Sequence, residues 1–233
     1  GVTGVQTCAL PICQRSGAIV LVRDVTDLRR GERALLSKDA SLREVHHRVK
    51  NNLQTVSALL RLQSRRVQAD EAREALAEAG RRVSAIAGVH EILSQEPGDT
   101  IDFDEVTDRL IALARELAPA HAHDSVTPRI EREGELGVIS TDLASPLAMS
   151  VSELVQNGIE HAQASTITVA PRRDGGDVVV EVRDDGKGLV DCEPGLGLQI
   201  VRMVIEEDVR GSVDIEAEVG GGTTVRLRVP IQR

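Results

Sequence analysis

Tryptophan and tyrosine are missing from the 233 residues, and Phe103 is the single aromatic side chain. A planar ligand therefore cannot be gripped between rings. It needs an aliphatic slot and a polar contact for specificity. Cysteine is scarce as well. Cys8, Cys13 and Cys192 are odd in number and show no C-x-x-C or Cys/His metal spacing. That excludes a disulfide scaffold and points to a reducing, cytoplasmic setting. No apolar run reaches the roughly 18 residues that would suggest a membrane span. Positive charge is in deficit, with 28 Lys and Arg against 37 Asp and Glu for a net charge of −9. Direct nucleic-acid binding is not expected of such a chain.

What is present begins with an oddity. Residues 1–12 lack the basic start and longer apolar core of a secretory signal. They resemble a translated sequencing adapter and are set aside from fold reasoning. Ala18–Arg23 then reads as one strand, closed by Asp24-Val-Thr-Asp27, with Thr26 or Asp27 as a helix cap. A lone strand is no domain. Residues 13–28 resemble the end of a PAS sensor domain, so they are expected to be its C-terminal remnant.

From residue 29 to about Arg66 the pattern turns helical. Leu42, Val45, Val49, Leu53, Val56 and Leu60 recur at steps of three and four. Leu76, Ala79, Val83, Ile86, His90 and Leu93 repeat the pattern up to Ser94, after a turn at Ala69-Asp70. Two such helices predict an antiparallel hairpin. Each stripe is too narrow for one partner, so a second copy completing a four-helix bundle is expected through residues 29–97. Glu96-Pro97-Gly98-Asp99 breaks the periodicity and marks the boundary. Beyond it, over 98–233, helices are expected at 103–118, 142–163 and 196–207. Strands are expected near 126–132, 165–172, 177–183, 212–219 and 223–230. That alternation predicts a two-layer α/β sandwich.

Five polar or glycine-rich clusters stand out. On a helical wheel of about 100° per residue, His47 comes out roughly 150° from the stripe centre and His46 about 55° from it. His47 therefore faces solvent. Neutral imidazole is a competent nucleophile near pH 7. Glu44 lies where it can orient the ring, and Arg48, Lys50 and Asn51 supply donors for a phosphate. The plain alternative is a solvated charged face. Glu153, Asn157 and Glu160/His161 share one face of the 142–163 helix, and their oxygens suit Mg²⁺. Asp184 ends a strand before Asp185-Gly186-Lys187-Gly188, a turn where backbone can approach a ligand and Asp184 can accept from an amino group. Gly195-Leu-Gly197 opens a helix whose free N–H groups favour phosphate. Gly220-Gly-Gly222-Thr223 precedes the last strand. Each is weak alone; their order after an Asn-bearing helix is not.

"HHRVKNNLQTVSALLRLQSRR" resembles the dimerisation helix of the HisKA_2 histidine kinases, close to the HWE kinases. "ELVQNGIEHA", "DDGKG", "GLGLQIV" and "GGTTVRL" resemble the boxes of the GHKL (HATPase_c) ATPase fold. The resemblance covers about 30–233 and is nearest to cytosolic actinobacterial sensor kinases. Those carry GAF and PAS sensors and signal to RNA-binding ANTAR regulators. It implies a helical hairpin followed by a GHKL sandwich, ATP and Mg²⁺ as cofactors, a homodimer, and a response regulator as partner. By position, His47 would be the phosphoacceptor, Asn157 would hold Mg²⁺ and Glu153 would assist it. Asp184 would read adenine, Gly186 and Gly188 would shape its pocket, Gly195 and Gly197 would face the phosphates, and Thr223 would line the adenine end. His161 is expected at the nucleotide. Gly158 and Glu160 depart from the usual Ala and Lys, and the stretch between Gly188 and Gly195 is short for an ATP lid. Two other functions share these boxes: a GHKL anti-sigma-type serine kinase, and a non-catalytic nucleotide-binding dimeric module.

Overall fold

A computed structural model describes residues 44–45, 48–94, 98–117, 128–188, 195–218 and 221–231. The expected strand at 18–23, His46 and His47, the 189–194 segment and Gly220 lie outside the described residues. The chain divides into a unit over Gly1–His47 and a second over Arg48–Arg233. The second unit holds nearly all that follows.

Helix α1 covers 48–64 and α2 covers Asp70–Ser94. They form the expected hairpin, with a buried polar contact set among the half-buried Val49, Leu53 and Leu60 of the stripe. Ser57 and Ser64 are buried on α1, whereas Val56, Leu59 and Leu62 are exposed. The Ser57 hydroxyl lies 2.8 Å from the Gly80 carbonyl, to which it donates, and 2.7 Å from Ser84 Oγ. Arg61 donates to Ser57 Oγ at 2.9 Å. A Cβ on Gly80 would stand 3.6 Å from Leu60 and Arg61, in ordinary contact with α1. The wheel of apolar residues missed this because it scores neither serine nor glycine. At the far end Lys50 pairs with Glu91.

The second hairpin helix differs further from expectation. Its buried residues are Gly80, Ala87, Val89 and Ile92, whereas Ile86 from the predicted stripe is exposed. Val89 and Ile92 join the hydrophobic core formed by the helices and sheet that follow. Thus α2 has two faces, one on α1 and one on helices α3 (Phe103–Leu117) and α4 (Thr141–Glu160).

Past the hairpin, β1 (Thr100–Asp102) pairs antiparallel with β3 (Val138–Ser140) in a two-stranded sheet. These three-residue strands were too short to predict. The main sheet has the order β2-β4-β5-β7-β6, from Arg129–Arg132, Thr166–Asp174, Asp177–Asp184, Gly222–Pro230 and Ser212–Glu218. Only its β2–β4 pair is parallel. Alternation turns Ile167, Val169, Val178, Val180, Val182, Val225, Leu227 and Val229 to the core, where Leu147, Val151 and Phe103 meet them. The opposite face carries Glu181 between Arg172 and Arg226, with Arg228 on Asp174 and Asp177. On this face cross-strand ion pairs stand where the other face carries helices. The two guanidiniums beside Glu181 hold its carboxyl below the usual range against the opposing effect of burial. The predicted two-layer sandwich is the observed fold.

Helix α5 covers Leu196–Arg202 and passes into a π-helical turn over Met203–Asp208. The expected 196–207 helix is thus continuous in position but changes its winding. Val204 and Ile205 stay buried through that turn.

Candidate functional site

The C-terminal half of α4 is the spine of the site. Leu154, Val155 and Gly158 face the core, which leaves Glu153, Asn157 and Glu160 on the edge toward α2 and the loops. Gly158 has a packing reason. A Cβ there would meet Ile167 Cδ1 at 2.7 Å, and Ile167 is fully buried. The missing side chain leaves room for Ile167 on the strand below. Helix α4 closes at His161, whose N–H donates to the Asn157 carbonyl at 2.9 Å. The expected continuation to 163 is prevented by Gln163, which takes φ 54°.

Beyond that end, Ala162 meets the β5 turn. Lys187 N–H donates to the Ala162 carbonyl at 3.0 Å. A Cβ on Gly186 would overlap Ala162, so only glycine permits the approach. Asp184, half-buried, accepts from Gly186 N–H at 2.9 Å. It also accepts from the backbone and hydroxyl of Thr223, its cross-strand partner on β7. Burial pushes the Asp184 carboxyl above its ordinary value; those hydrogen bonds oppose the push. Gly222 sits at φ 86° against the Asp184 backbone. Gly188 is left-handed at φ 73°.

Asp185 has a role the sequence did not suggest. Its carboxylate accepts from Ser165 N–H at 2.7 Å, Thr166 N–H at 2.9 Å and Ser165 Oγ at 2.5 Å. These bonds, the serine hydroxyl's foremost, hold its carboxyl below the ordinary range. The first Asp of the pair stays at the site, while the second ties the start of β4 to the end of β5. A carboxylate beside a strand start was the available signal.

On the other flank, Gly195 caps α5 and accepts from Leu198 and Gln199 N–H groups at 3.1 and 3.2 Å. Gly197 is buried against Glu153, and a Cβ there would overlap the Glu153 Oε1 atom. Glu153 also meets Arg82 of α2, with Nε 3.2 Å from the same Oε1. Arg82 further pairs with Glu78. Burial raises the Glu153 carboxyl, Arg82 opposes it, and Glu78 and Glu160 add to it. Glu160 pairs with Arg81 Nε at 2.6 Å. The cation beside Glu160 thus comes from the hairpin.

The structure therefore brings together Glu153 with Gly197, the end of α4 with Gly186, and Asp184 with Thr223. Lys50, expected as a phosphate donor, is instead taken by Glu91. The larger cavity, of about 520 Å³, lies elsewhere, between Asp142, Val138, Arg173, Asp208 and Ile231. It contains none of the expected site residues and sits about 22 Å along α4 from Asn157, at the other end of the helix.

Residues 44–118 match the family model described as "Histidine kinase", HisKA_2. Residues 143–233 match the one described as "Histidine kinase-, DNA gyrase B-, and HSP90-like ATPase". The chain belongs to the histidine kinases. It is similar to the sensor histidine kinase PdtaS of Mycolicibacterium smegmatis, at 48% identity over 228 residues, which is 93% of this chain and 45% of that protein. The Mycobacterium tuberculosis PdtaS is 45% identical over 239 residues, 98% of this chain and 47% of that protein. The chain spans about half the length of these curated relatives. Among solved structures, the histidine kinase domain from the Erythrobacter litoralis EL346 blue-light activated histidine kinase shares the fold, with TM-score 0.56 at 21% identity. That match covers 83% of this chain and 92% of the other. No helix among the described residues of this histidine kinase chain is long and apolar enough to cross a membrane.

Proposed function

We propose that this chain is the kinase core of a two-component sensor that transfers the γ-phosphoryl group of Mg-ATP to His47 and then to an aspartate of a response regulator. The observation that carries the reading is the convergence of Glu153, Gly197, Gly186, Asp184 and Thr223 around the C-terminal half of α4, beside a hairpin of the HisKA_2 family. Asp184 accepts the adenine amino group, with Thr223, Gly186 and Gly188 around it. Adenine recognition there rests on a hydrogen bond and aliphatic contact, as a chain without Trp or Tyr requires.

Asn157 and Glu153 are one helical turn apart and offer an amide and a carboxylate oxygen. That pair fits a Mg²⁺ that keeps several waters and shares phosphate oxygens. Among the described residues no group of three or more His, Cys, Asp and Glu forms a dedicated cage. Bound Mg²⁺ would neutralise charge on the phosphates. Gly195, with open space beside it, gives the phosphates close access to backbone, Gly197 follows it packed on Glu153, and His161 stands at the same end of α4. Catalysis rests on positioning and charge neutralisation.

Residues 13–28 are a sensor remnant, 29–97 the phosphotransfer and dimerisation hairpin, and 98–233 the ATP-binding domain. The exposed Val56, Leu59 and Leu62 of α1 supply apolar area for a second copy. The regulator partner is of the response-regulator class, with an ANTAR output as the form known to accompany similar kinases. The setting is cytoplasmic.

Incubation with γ-labelled ATP and Mg²⁺ tests the reading. The expected label is acid-labile and base-stable, is lost in His47→Gln and survives in His46→Gln. Measurable ATP binding without any label would leave the non-catalytic module. An acid-stable label on a partner would favour the serine kinase.

A further inference from the structure

We propose that Arg81 and Arg82 form a latch that docks the second hairpin helix on the nucleotide-facing edge of α4 and competes there with Mg-ATP. The proposal rests on the reading that this edge receives Mg-ATP.

The two arginines are adjacent on α2 and reach two carboxylates that flank Asn157 on α4. Arg82 meets Glu153, four residues before Asn157, and Arg81 meets Glu160, three residues after it. Both carboxylates are nearly withdrawn from water, with side chains 13% exposed. A carboxylate so placed needs a cation beside it. At present that cation is a guanidinium of the hairpin. Glu153 Oε1 is enclosed by Arg82 on one side and Gly197 on the other. The oxygen that would assist Mg²⁺ is therefore already occupied, and by a group of the same charge sign as the ion. Arg82 and the ion cannot both sit close to it without repulsion.

The seam beneath these pairs is incompletely filled at one place. A cavity of about 40 Å³ lies between Ala85, Ile86 and Val89 of α2, Met149 and Ser150 of α4, and Val204. The Ser150 hydroxyl, from a residue 2% exposed, has no hydrogen-bond partner there. A void and an unsatisfied hydroxyl both weaken a contact. Hairpin docking and Mg-nucleotide binding thus draw on the same two carboxylates, and each opposes the other by the same factor.

The test is calorimetric binding of a non-hydrolysable ATP analogue to the full chain. With Mg²⁺ present, the Arg81→Ala/Arg82→Ala variant is expected to bind about tenfold tighter than the unmodified chain. Without Mg²⁺ the two should differ little. Arg81→Glu, which sets a carboxylate against Glu160, is expected to tighten binding as well. Hydrogen exchange supplies a second readout that needs no variant: Mg-nucleotide should speed exchange across residues 80–89. Equal or weaker binding by the double alanine variant, or unchanged exchange, overturns the latch. So does an unmodified chain that binds no nucleotide. An affinity shift as expected without label on His47 keeps the latch and removes the phosphotransfer reading. Label on His47 without an affinity shift does the reverse.

Discussion

The hairpin and the sandwich are held by different forces. In the sandwich, Phe103, Ile130, Leu147, Ile167 and Leu227 are fully buried, and apolar burial dominates. Along the hairpin the contact is made by Ser57, Gly80, Ser84 and Arg61, while Val56, Leu59 and Leu62 face outward. Deep apolar packing is intolerant of volume change. A contact of hydroxyls and ion pairs has a smaller net stability and can be exchanged for another.

The sharpest way to break the comparison is a cavity in the sandwich. Phe103→Ala should cost about 3–5 kcal/mol, read as a lowered urea midpoint with loss of nucleotide binding. If Phe103→Ala costs no more than a hairpin substitution, the contrast fails. Next in size is Ser57→Ala, which leaves the hairpin packed but removes the bond donated to the Gly80 carbonyl and the hydroxyl contact with Ser84. About 1 kcal/mol is expected, with faster amide exchange in α1 and α2 and little change within β4, β5 and β7.

A pH series sharpens the contrast within the site. The folded Asp185 carboxyl lies below its unfolded value. It therefore contributes stability above about pH 4 that is lost as pH falls through the folded value. Asp185→Asn should flatten the acid limb of the stability profile. Asp184 has the opposite sign, because burial raises it. Its ionised form costs stability above the folded value, so Asp184→Asn should not destabilise the fold at neutral pH, yet it should abolish adenine recognition. Thermal melting and nucleotide titration separate these effects. The smallest effect on the single chain is expected from Leu59→Ser, within about 0.5 kcal/mol, because the side chain is exposed. Sedimentation should nevertheless show the homodimer weakened.

Much of the architecture was legible from periodicity. The strands at 165–172, 177–183 and 223–230 fall on β4, β5 and β7, because β-branched alternation is a local signal. β1 and β3 were not legible: three residues hold too little pattern, and they become strands only by pairing with each other. The second hairpin helix was read as a helix correctly but its faces were not. Gly80 and Ser84 decide one of them, and a scale of apolarity is blind to both. At the site, Asp184 and Thr223 were legible as box residues, and their direct pairing follows from the β5–β7 register. The roles of Asp185, Arg81 and Arg82 were not legible. Each acts on a partner at least 19 residues away.

By itself the sequence determined most of the helices and strands past residue 48, with β1 and β3 excepted. Those depend on neighbours within a few positions. Only the tertiary structure decided that α2 lies against α4 and that the carboxylates beside Asn157 are met by hairpin arginines. Helix periodicity says which side of a helix is apolar or charged. It does not say what that side will meet, because that is settled by close packing and by the need of a buried charge for an opposite one.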